Sequence, residues 1–279
     1  MPVTTDAAAR PPLDETRLVG NPALPPDLEV ELHATLGSTN ARAAERAREG
    51  AAEGLVVAAD HQTGGRGRLD RTWETPEGTS LTFSLLLRPT VPAASWPWLP
   101  LMTGYAVAKA LRAGGVEAGV KWPNDVLVGD RKLAGILVER IETPQGPAAV
   151  VGVGINVGMA AEELPVPEAT SLQVEQGEAA DRTDLLVEVL SGVREAYDAW
   201  QAGGELGAQR LAESYAEACV TVGQQVRVEL PGGETLEGTA VGIDAEGRLQ
   251  VQPAAGSGGG EQVRAVGAGD VRHVRPASS

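Results

Sequence analysis

The amino-acid sequence predicts an α+β fold, in which helices cover a mixed or antiparallel sheet and a small β-barrel of five strands follows. Apolar segments with the spacing of strands lie between residues 28 and 157. Beyond residue 222, short strands alternate with Gly-rich turns, which is typical of a small barrel. Segments with helical spacing are expected at 41–49, 98–112, 181–201 and 205–218.

The composition limits the classes of function. The chain has 279 residues, of which 42% are hydrophobic but only 3% aromatic, so its core must be aliphatic. A net charge of −15 disfavours binding of DNA, RNA or anionic membranes over the whole surface. The single cysteine, Cys219, excludes an intrachain disulfide and fits a reducing compartment. Because we find no signal peptide and no apolar segment of spanning length, we expect a cytoplasmic protein without a membrane partner.

Three parts are expected along the chain. Residues 1–27 contain six of the nineteen prolines and no apolar period, which predicts an extended or disordered leader. Residues 28–220 form the expected catalytic domain, and residues 221–279 form the barrel domain. Within the barrel, the Gly- and Ser-rich run 256–260 predicts a mobile hairpin tip, because nothing offsets its ordering entropy. The barrel strands are expected at 222–228, 235–243, 248–252, 262–266 and 271–275.

Local patterns predict the strands and helices of the first domain. Residues 28–32 alternate as a strand does, and Ser38, Thr39 or Asn40 can cap the helix that ends at Gly50. Pro123 forbids a central position in a sheet and predicts a corner at a strand end. Tight turns then join an antiparallel meander. The further strands are expected at 55–59, 79–88, 120–128 around the corner, 131–139 and 148–157.

The segment 64–73, which we call the arginine loop, is the most informative for chemistry. It reads Gly-Gly-Arg-Gly-Arg-Leu-Asp-Arg-Thr-Trp and places three arginines within six residues of an acidic chain. Glycine lets the backbone approach a ligand closely, and guanidinium groups bind carboxylate or phosphate through paired hydrogen bonds. The loop therefore predicts an anion site, and the alternative is a solvated basic turn.

Other patterns exclude several kinds of site. Gly152 and Gly154 lack the spacing of a dinucleotide fingerprint, and a strand surrounds them where that fingerprint needs a helix. No Walker motif occurs, the three histidines are scattered, and no metal-ligand spacing is found, so no protein-held metal is expected. Lys132 begins an apolar strand, where the alternative to a functional role is an ordinary edge-strand lysine.

Five ordered motifs carry a family resemblance. They are Ser38-Thr39-Asn40, Gln62 with the arginine loop, Lys121-Trp122-Pro123-Asn124-Asp125, Arg131-Lys132-Leu133-Ala134-Gly135-Ile136-Leu137, and Gly152-x-Gly154-Ile155-Asn156. Together they resemble the biotin protein ligases, over residues 30–275, in the short type without an N-terminal DNA-binding domain. That family has Gly where this chain has Asp70. The resemblance implies a class II synthetase-like catalytic sheet and an SH3-like barrel.

The resemblance also implies a reaction. Biotin and ATP form biotinyl-5′-AMP and diphosphate, with Mg²⁺ bridging phosphate oxygens, and the biotinyl group then passes to a lysine of a biotin carboxyl carrier protein. This is the activity of a biotin–[acetyl-CoA-carboxylase] ligase. DNA is not an expected partner, and a homodimer is left open. The alternatives are a lipoate or octanoyl ligase of similar fold, and a noncatalytic biotin sensor.

By the same resemblance, residue roles are expected. The catalytic cations would be Lys132, Arg68 and Arg66. Biotin would be held by Ser38, Thr39, Asn40, Gln62, Arg66, Gly67, Arg68, Lys132, Gly135 and Gly154. The nucleotide would be held by Arg68, Arg71, Trp73, Asn124, Lys132 and Asn156, with Trp73 stacked on adenine. Because every motif lies before residue 157, we expect the barrel to lie outside the biotin pocket and to serve the carrier protein or the ATP step.

Overall fold

A mixed seven-stranded sheet forms the larger part of the molecule in the computed structural model, which describes residues 10–69, 71–230, 232–254 and 262–273. Its strands are β1 Glu29–Leu36, β2 Leu55–Gln62, β3 Ser80–Leu87, β4 Ala118–Lys121, β5 Asp125–Val128, β6 Arg131–Thr143 and β7 Gly146–Asn156. They are ordered β1-β2-β3-β7-β6-β5-β4. Only the β1–β2 pair is parallel, and the other pairs are antiparallel. The predicted mixed sheet and its meander are confirmed.

Helices cover this sheet, as predicted. They are α1 Glu15–Leu18, α2 Thr39–Arg48, α3 Trp98–Ala113, α4 Leu172–Gln176 and α5 Arg182–Ala218. The last of these breaks at Gly204, whose φ of 53° and ψ of −148° are not helical, so the two helices expected there are two segments of α5. Asp181 caps its first turn by accepting from the backbone N–H groups of Thr183 and Asp184, as expected of an N-cap aspartate.

The core is aliphatic except for a few rings at its centre. The side chains of β3 are buried along its whole length, because this strand is central in the sheet and helices cover it. Trp98, Tyr197 and Tyr215 are buried where α3 and α5 meet. No helix of the described residues is long and apolar enough to cross a membrane.

The expectation of a disordered leader is wrong for residues 10–27. Leu13 and Leu18 are 8% and 3% exposed, and the backbone N–H of Leu13 donates to Asp60 Oδ1 at 3.0 Å. The buried guanidinium of Arg182 donates to the Pro11 carbonyl at 2.6 Å and to Asp60 at 2.7 Å. Two leucines and one buried arginine thus order a segment that composition alone predicts to be loose. Residues 1–9 lie outside the described residues.

The C-terminal strands form a five-stranded antiparallel sheet, in agreement with the expected barrel. Its strands are β8 Gln225–Glu229, β9 Thr235–Ile243, β10 Leu249–Pro253, β11 Arg264–Val266 and β12 Asp270–His273, ordered β11-β10-β9-β8-β12. The Trp98 and Trp122 indole N–H groups donate to the carbonyls of Ala245 and Gly247, at 2.7 and 3.0 Å. A barrel turn therefore packs on two tryptophans of the larger, N-terminal part of the chain. The expected hairpin tip at 256–260 lies outside the described residues.

Candidate active site

One cleft gathers nearly all of the predicted site residues. It opens at the end of the sheet where α2 begins, where the arginine loop joins β2 to β3, and where β4 turns into β5. The predicted residues that line it are Ser38, Thr39, Asn40, Gln62, Arg66, Gly67, Arg68, Arg71, Trp73, Asn124, Lys132, Gly135 and Gly154. Asn156 is the exception, because it is buried and donates its amide to the Thr170 carbonyl at 2.8 Å.

The first turn of α2 supplies short polar side chains to the cleft. Ser38 is the N-cap, and its hydroxyl accepts from the Ala41 backbone N–H at 3.4 Å. Thr39 uses its backbone N–H, at 2.7 Å, and its hydroxyl, at 3.1 Å, to contact Gln62 Oε1. Helix capping therefore explains the role of Ser38 only. Thr39 instead links the start of α2 to the end of β2 through its hydrogen bonds to Gln62.

Asn40 is buried at the back of the same cluster. Its Nδ2 donates to Glu139 Oε2 at 2.7 Å, and its Oδ1 accepts from the Ser84 hydroxyl at 2.6 Å. Gly152 makes room for this amide, since a Cβ at that position would lie 2.1 Å from Asn40 Oδ1. The Leu137 carbonyl also accepts from Asn40 Nδ2, at 3.3 Å. Ser84 on β3 and Glu139 on β6, whose side chains contact the amide, are absent from the sequence-based site.

The three guanidinium groups of the arginine loop each have a different partner. Arg66 pairs with Glu139 at 3.2 Å, and Arg71 pairs with Asp270 at 2.6 Å. Arg68 donates to Asn124 Oδ1 at 2.8 Å and to the Gly269 carbonyl at 3.2 Å. Asp270 and Val271 of the barrel line the cleft beside the loop, near the arginines expected to hold the nucleotide. The expectation that the barrel lies outside the biotin pocket stays a prediction.

Charge in the cleft is concentrated around Lys132 and Arg68. Lys132 Nζ lies 2.7 Å from Asp125 Oδ1, so this lysine is not an isolated edge-strand cation. Burial lowers the pKa of the Arg68 guanidinium, while the carboxylates of Asp125 and Asp270 act in the opposite direction and Arg71 lowers it further. Asp125 and Asp270 thus lie close to these two cations, an arrangement that can take up a polyanion by exchanging partners.

Trp73 covers the glycines of β6 and β7. Gly135 and Gly154 are paired across these strands, and a Cβ on them would lie 3.3 and 2.7 Å from the Trp73 ring. The Lys132 ammonium lies 5.7 Å from the ring centroid, within cation–π range. The Trp73 Nε1 atom is buried and has no hydrogen-bond partner among the described residues. An acceptor on a bound ligand would satisfy it.

The Trp-Pro corner between β4 and β5 positions Asn124 and Asp125. The Trp122–Pro123 peptide is cis, and Trp122 is buried with its backbone N–H donating to Thr221 Oγ1 at 3.3 Å. Asn124 donates its Nδ2 to the Ile136 carbonyl at 2.9 Å, which leaves its Oδ1 for Arg68. The sequence-based site missed Asp125, although it lies inside a quoted motif. Asp70 lies outside the described residues.

No group of three or more His, Cys, Asp or Glu residues in the described part of the chain could hold a metal ion. This is compatible with Mg²⁺ that arrives on ATP, because such an ion keeps water and phosphate ligands and needs one or two carboxylates. Asp125 and Asp270 are the carboxylates lining the cleft. The donor set therefore fits a metal carried by the nucleotide.

Comparison with known proteins gives consistent matches to both parts of the chain. The Biotin/lipoate A/B protein ligase family matches residues 34–156, and the Biotin protein ligase C terminal domain matches residues 221–274. A Mycobacterium tuberculosis protein named biotin–[acetyl-CoA-carboxylase] ligase is 40% identical over 277 residues, which cover 95% of this chain and 97% of that protein. A Bacillus subtilis bifunctional ligase/repressor is 36% identical, over 79% of this chain and 68% of its own length.

Solved structures agree with these matches. The Aquifex aeolicus biotin protein ligase in complex with biotin and ATP has a TM-score of 0.74 and 27% identity, and the match covers 88% of this chain and 99% of that one. The fold described above thus has a counterpart in a solved protein of similar length.

Proposed function

Since the chain belongs to the biotin protein ligase family, we propose which residues of its cleft bind the substrates of an ATP-dependent ligase and which act in the reaction. The enzyme activates biotin as biotinyl-5′-AMP and transfers the biotinyl group to a lysine of a biotin carboxyl carrier protein. The observation that carries the assignment of the cleft is the convergence of Lys132, Arg68 and Trp73 beside the Thr39–Gln62 pair in one cavity.

The two ends of the cleft suit different parts of the substrates. Short polar groups at the start of α2 face the end where Gln62 lies, and they match the N–H groups and carbonyl of a ureido ring. At the other end Arg68, Arg71 and Asn124 offer cations and an amide for phosphates and a purine. Lys132 and Trp73 lie between them, where carboxylate and α-phosphate would meet.

In the first step a biotin carboxylate oxygen attacks the α-phosphorus of ATP, and the bond from that phosphorus to the diphosphate oxygen breaks. Two anions must approach each other, so positioned cations lower the barrier by neutralising their repulsion and the charge that builds up on the phosphoryl oxygens. We assign that work to Lys132 and Arg68, with Arg66 closing the biotin end. When Mg²⁺ is bound with ATP, it supplies further charge neutralisation at the phosphates.

In the second step the amine of the carrier lysine attacks the biotinyl carbonyl carbon. The bond from that carbon to the phosphate oxygen breaks, and AMP leaves with the bonding electrons. The arginine loop shields the adenylate from water until then. Arg68→Ala should therefore release adenylate into solvent faster, because a looser loop admits water.

Mass spectrometry after incubation with ATP, Mg²⁺ and biotin tests the assignment. We expect biotinyl-5′-AMP, and a mass increase of one biotinyl group on an added biotin carboxyl carrier domain. The same incubation with lipoate or octanoate tests the related ligase chemistry. Binding of biotin without any adenylate would indicate a sensor and would contradict the proposal.

We further propose that the protein acts in the cytoplasm, in keeping with its single cysteine. We also propose that it does not bind DNA, because its net charge of −15 disfavours contact with phosphates over its surface. A mobility-shift titration with promoter DNA, in the presence and absence of biotinyl-5′-AMP, tests the second point. Light scattering during gel filtration shows whether the ligase is a monomer or a homodimer.

A further inference from the structure

Glu139 joins two parts of the cleft that the sequence motifs treat as separate. It lies on β6, where its Oε2 accepts from Asn40 Nδ2 at 2.7 Å and its Oε1 pairs with Arg66 Nη2 at 3.2 Å. Its side chain is 28% exposed, whereas Asn40 is 4% exposed. A carboxylate paired with arginine can only accept hydrogen bonds. Asn40 must therefore turn its amide NH₂ toward Glu139 and its Oδ1 away from it.

With the Asn40 amide oriented in this way, the buried side chains next to its Oδ1 have one hydroxyl proton too few for the hydrogen bonds between them. Three oxygen–oxygen contacts run in a row: Asn40 Oδ1 to Ser84 Oγ at 2.6 Å, Ser84 Oγ to Thr39 Oγ1 at 2.8 Å, and Thr39 Oγ1 to Gln62 Oε1 at 3.1 Å. Each contact needs one hydroxyl proton, and two hydroxyl groups supply two. Gln62 cannot present its NH₂ to the row, because its Oε1 accepts from the Thr39 backbone N–H at 2.7 Å.

The row therefore has no proton to donate to a ligand. Thr39 and Asn40 line the cleft, so a ligand group that reaches the row meets oxygen atoms that accept. The row favours N–H donors and disfavours a carbonyl oxygen placed directly against it, since a buried acceptor left without a donor costs free energy. Reversing the Asn40 amide would supply the missing proton. The charge of Glu139 opposes that reversal, together with the Leu137 carbonyl, which accepts from Asn40 Nδ2 at 3.3 Å.

We propose that Glu139 is a positioning residue that determines ligand specificity, because it fixes the Asn40 amide and thereby makes the cluster accept hydrogen bonds from a ligand's N–H groups. This inference rests on the proposed function, in which that end of the cleft receives the ureido ring. It adds Glu139, which is not among the residues that line the cleft and acts through Asn40.

The test compares Glu139→Gln with the parent enzyme in adenylate formation and in calorimetric binding of biotin. A neutral amide can donate or accept, so Glu139→Gln removes the charge that opposes reversal of the Asn40 amide, and the longer contact of 3.3 Å with the Leu137 carbonyl then opposes it more weakly. We expect the KM and Kd for biotin to rise about tenfold, the scale of one badly matched buried polar contact. We expect kcat at saturating biotin to change less than about threefold. Inhibition by octanoate, which has no ureido group, should be unchanged.

Two further variants separate specificity from folding. Glu142→Gln is the matched control, because it lies on the same strand, is 72% exposed and pairs only with Arg140 among the described residues. It should behave as the parent does. Glu139→Asp keeps the charge and should retain more biotin affinity than Glu139→Gln, with thermal unfolding checked for each.

The outcomes distinguish this inference from the proposed function. A parent enzyme that forms no adenylate overturns the function itself. A parent that forms adenylate, combined with an unchanged biotin KM in Glu139→Gln, overturns only the role of Glu139. Equal losses for biotin and octanoate would mean a general structural defect and would also overturn it.

Discussion

Lys132 shows how much one side chain depends on its surroundings. It begins β6, yet its ammonium group is held by Asp125 across the corner and lies against the Trp73 ring. The family motif predicted a functional lysine, but the residues next to it in the sequence predict neither contact. Both contacts arise because the Trp-Pro corner and the arginine loop fold over the same strand.

Replacing this lysine tests its role in the chemical step. Lys132→Ala should lower kcat for adenylate formation by 100- to 1000-fold, because a positioned cation acting on the transition state contributes about 2.7–4 kcal/mol. Calorimetry should show a much smaller change in biotin affinity. Lys109→Ala, an exposed lysine on α3, is the control. An unchanged adenylation rate in Lys132→Ala would remove this lysine from the mechanism.

Gly154→Ala tests the contact between the sheet and Trp73. The new methyl group would lie 2.7 Å from the indole ring, so the ring has to move. We expect kcat/KM for adenylation to fall about tenfold or more, on the scale of overpacking a close contact. The control is Gly203→Ala, where a Cβ would meet none of the described atoms within 4 Å. Parent-like kinetics in Gly154→Ala would mean that Trp73 need not stay where it lies.

At the scale of elements, periodicity predicted most strands and helices to within a few residues. It succeeded because β3 and β7 are buried and apolar along most of their length, and because α2 and α5 have capping residues at their starts. It could not predict contacts between distant segments. The pair Arg71–Asp270 joins residues 199 positions apart, and the buried Arg182 orders the leader from 171 positions away.

The arginine loop is the element whose order depends most on such distant contacts. Asp270→Asn removes the partner of Arg71, so hydrogen exchange at residues 64–73 should quicken in the ligand-free enzyme. The KM for ATP should change by no more than about fivefold, in keeping with about 0.2–1 kcal/mol for a partly exposed ion pair. Adding biotin and ATP should slow exchange in the parent loop. Glu229→Gln, on the adjacent strand β8, serves as the control.

If loop exchange is the same in Asp270→Asn and the parent, the ion pair to the barrel does not hold the loop. If ligands leave the parent loop unchanged, the loop does not order around the adenylate.

At the scale of the whole molecule, the two sheets are joined by hydrogen bonds that bury polar groups. His273 Nε2 lies 3.2 Å from the hydroxyl of Thr221, which also accepts from the Trp122 backbone. Burial lowers the pKa of His273 below its ordinary value of 6.5, the Lys121 charge lowers it further, and Asp130 opposes both. Folding therefore favours the neutral imidazole at this junction.

The sign of the pH dependence follows from that shift. Because the unfolded chain binds the proton more readily, the stabilisation is fully present above pH 6.5 and is lost as the pH falls below it toward the lowered pKa. Urea unfolding at pH 7.5 and 5.5 should show that the parent loses more stability on acidification than His273→Gln does. Equal losses in both proteins would mean that this histidine does not report on the junction.

At the end of the cleft where we propose that biotin binds, the floor includes Gly135, Gly152 and Gly154, and each of them faces neighbours that a methyl group would strike. Glycine is the smallest residue, so no substitution at these positions can deepen the cavity, and every substitution makes it shallower. Mutation can therefore narrow the range of acids that this enzyme accepts through its floor, but cannot widen it there. A variant that accepts a bulkier acid would need space made by a displacement of the arginine loop, including Trp73. That displacement would expose the adenylate to water.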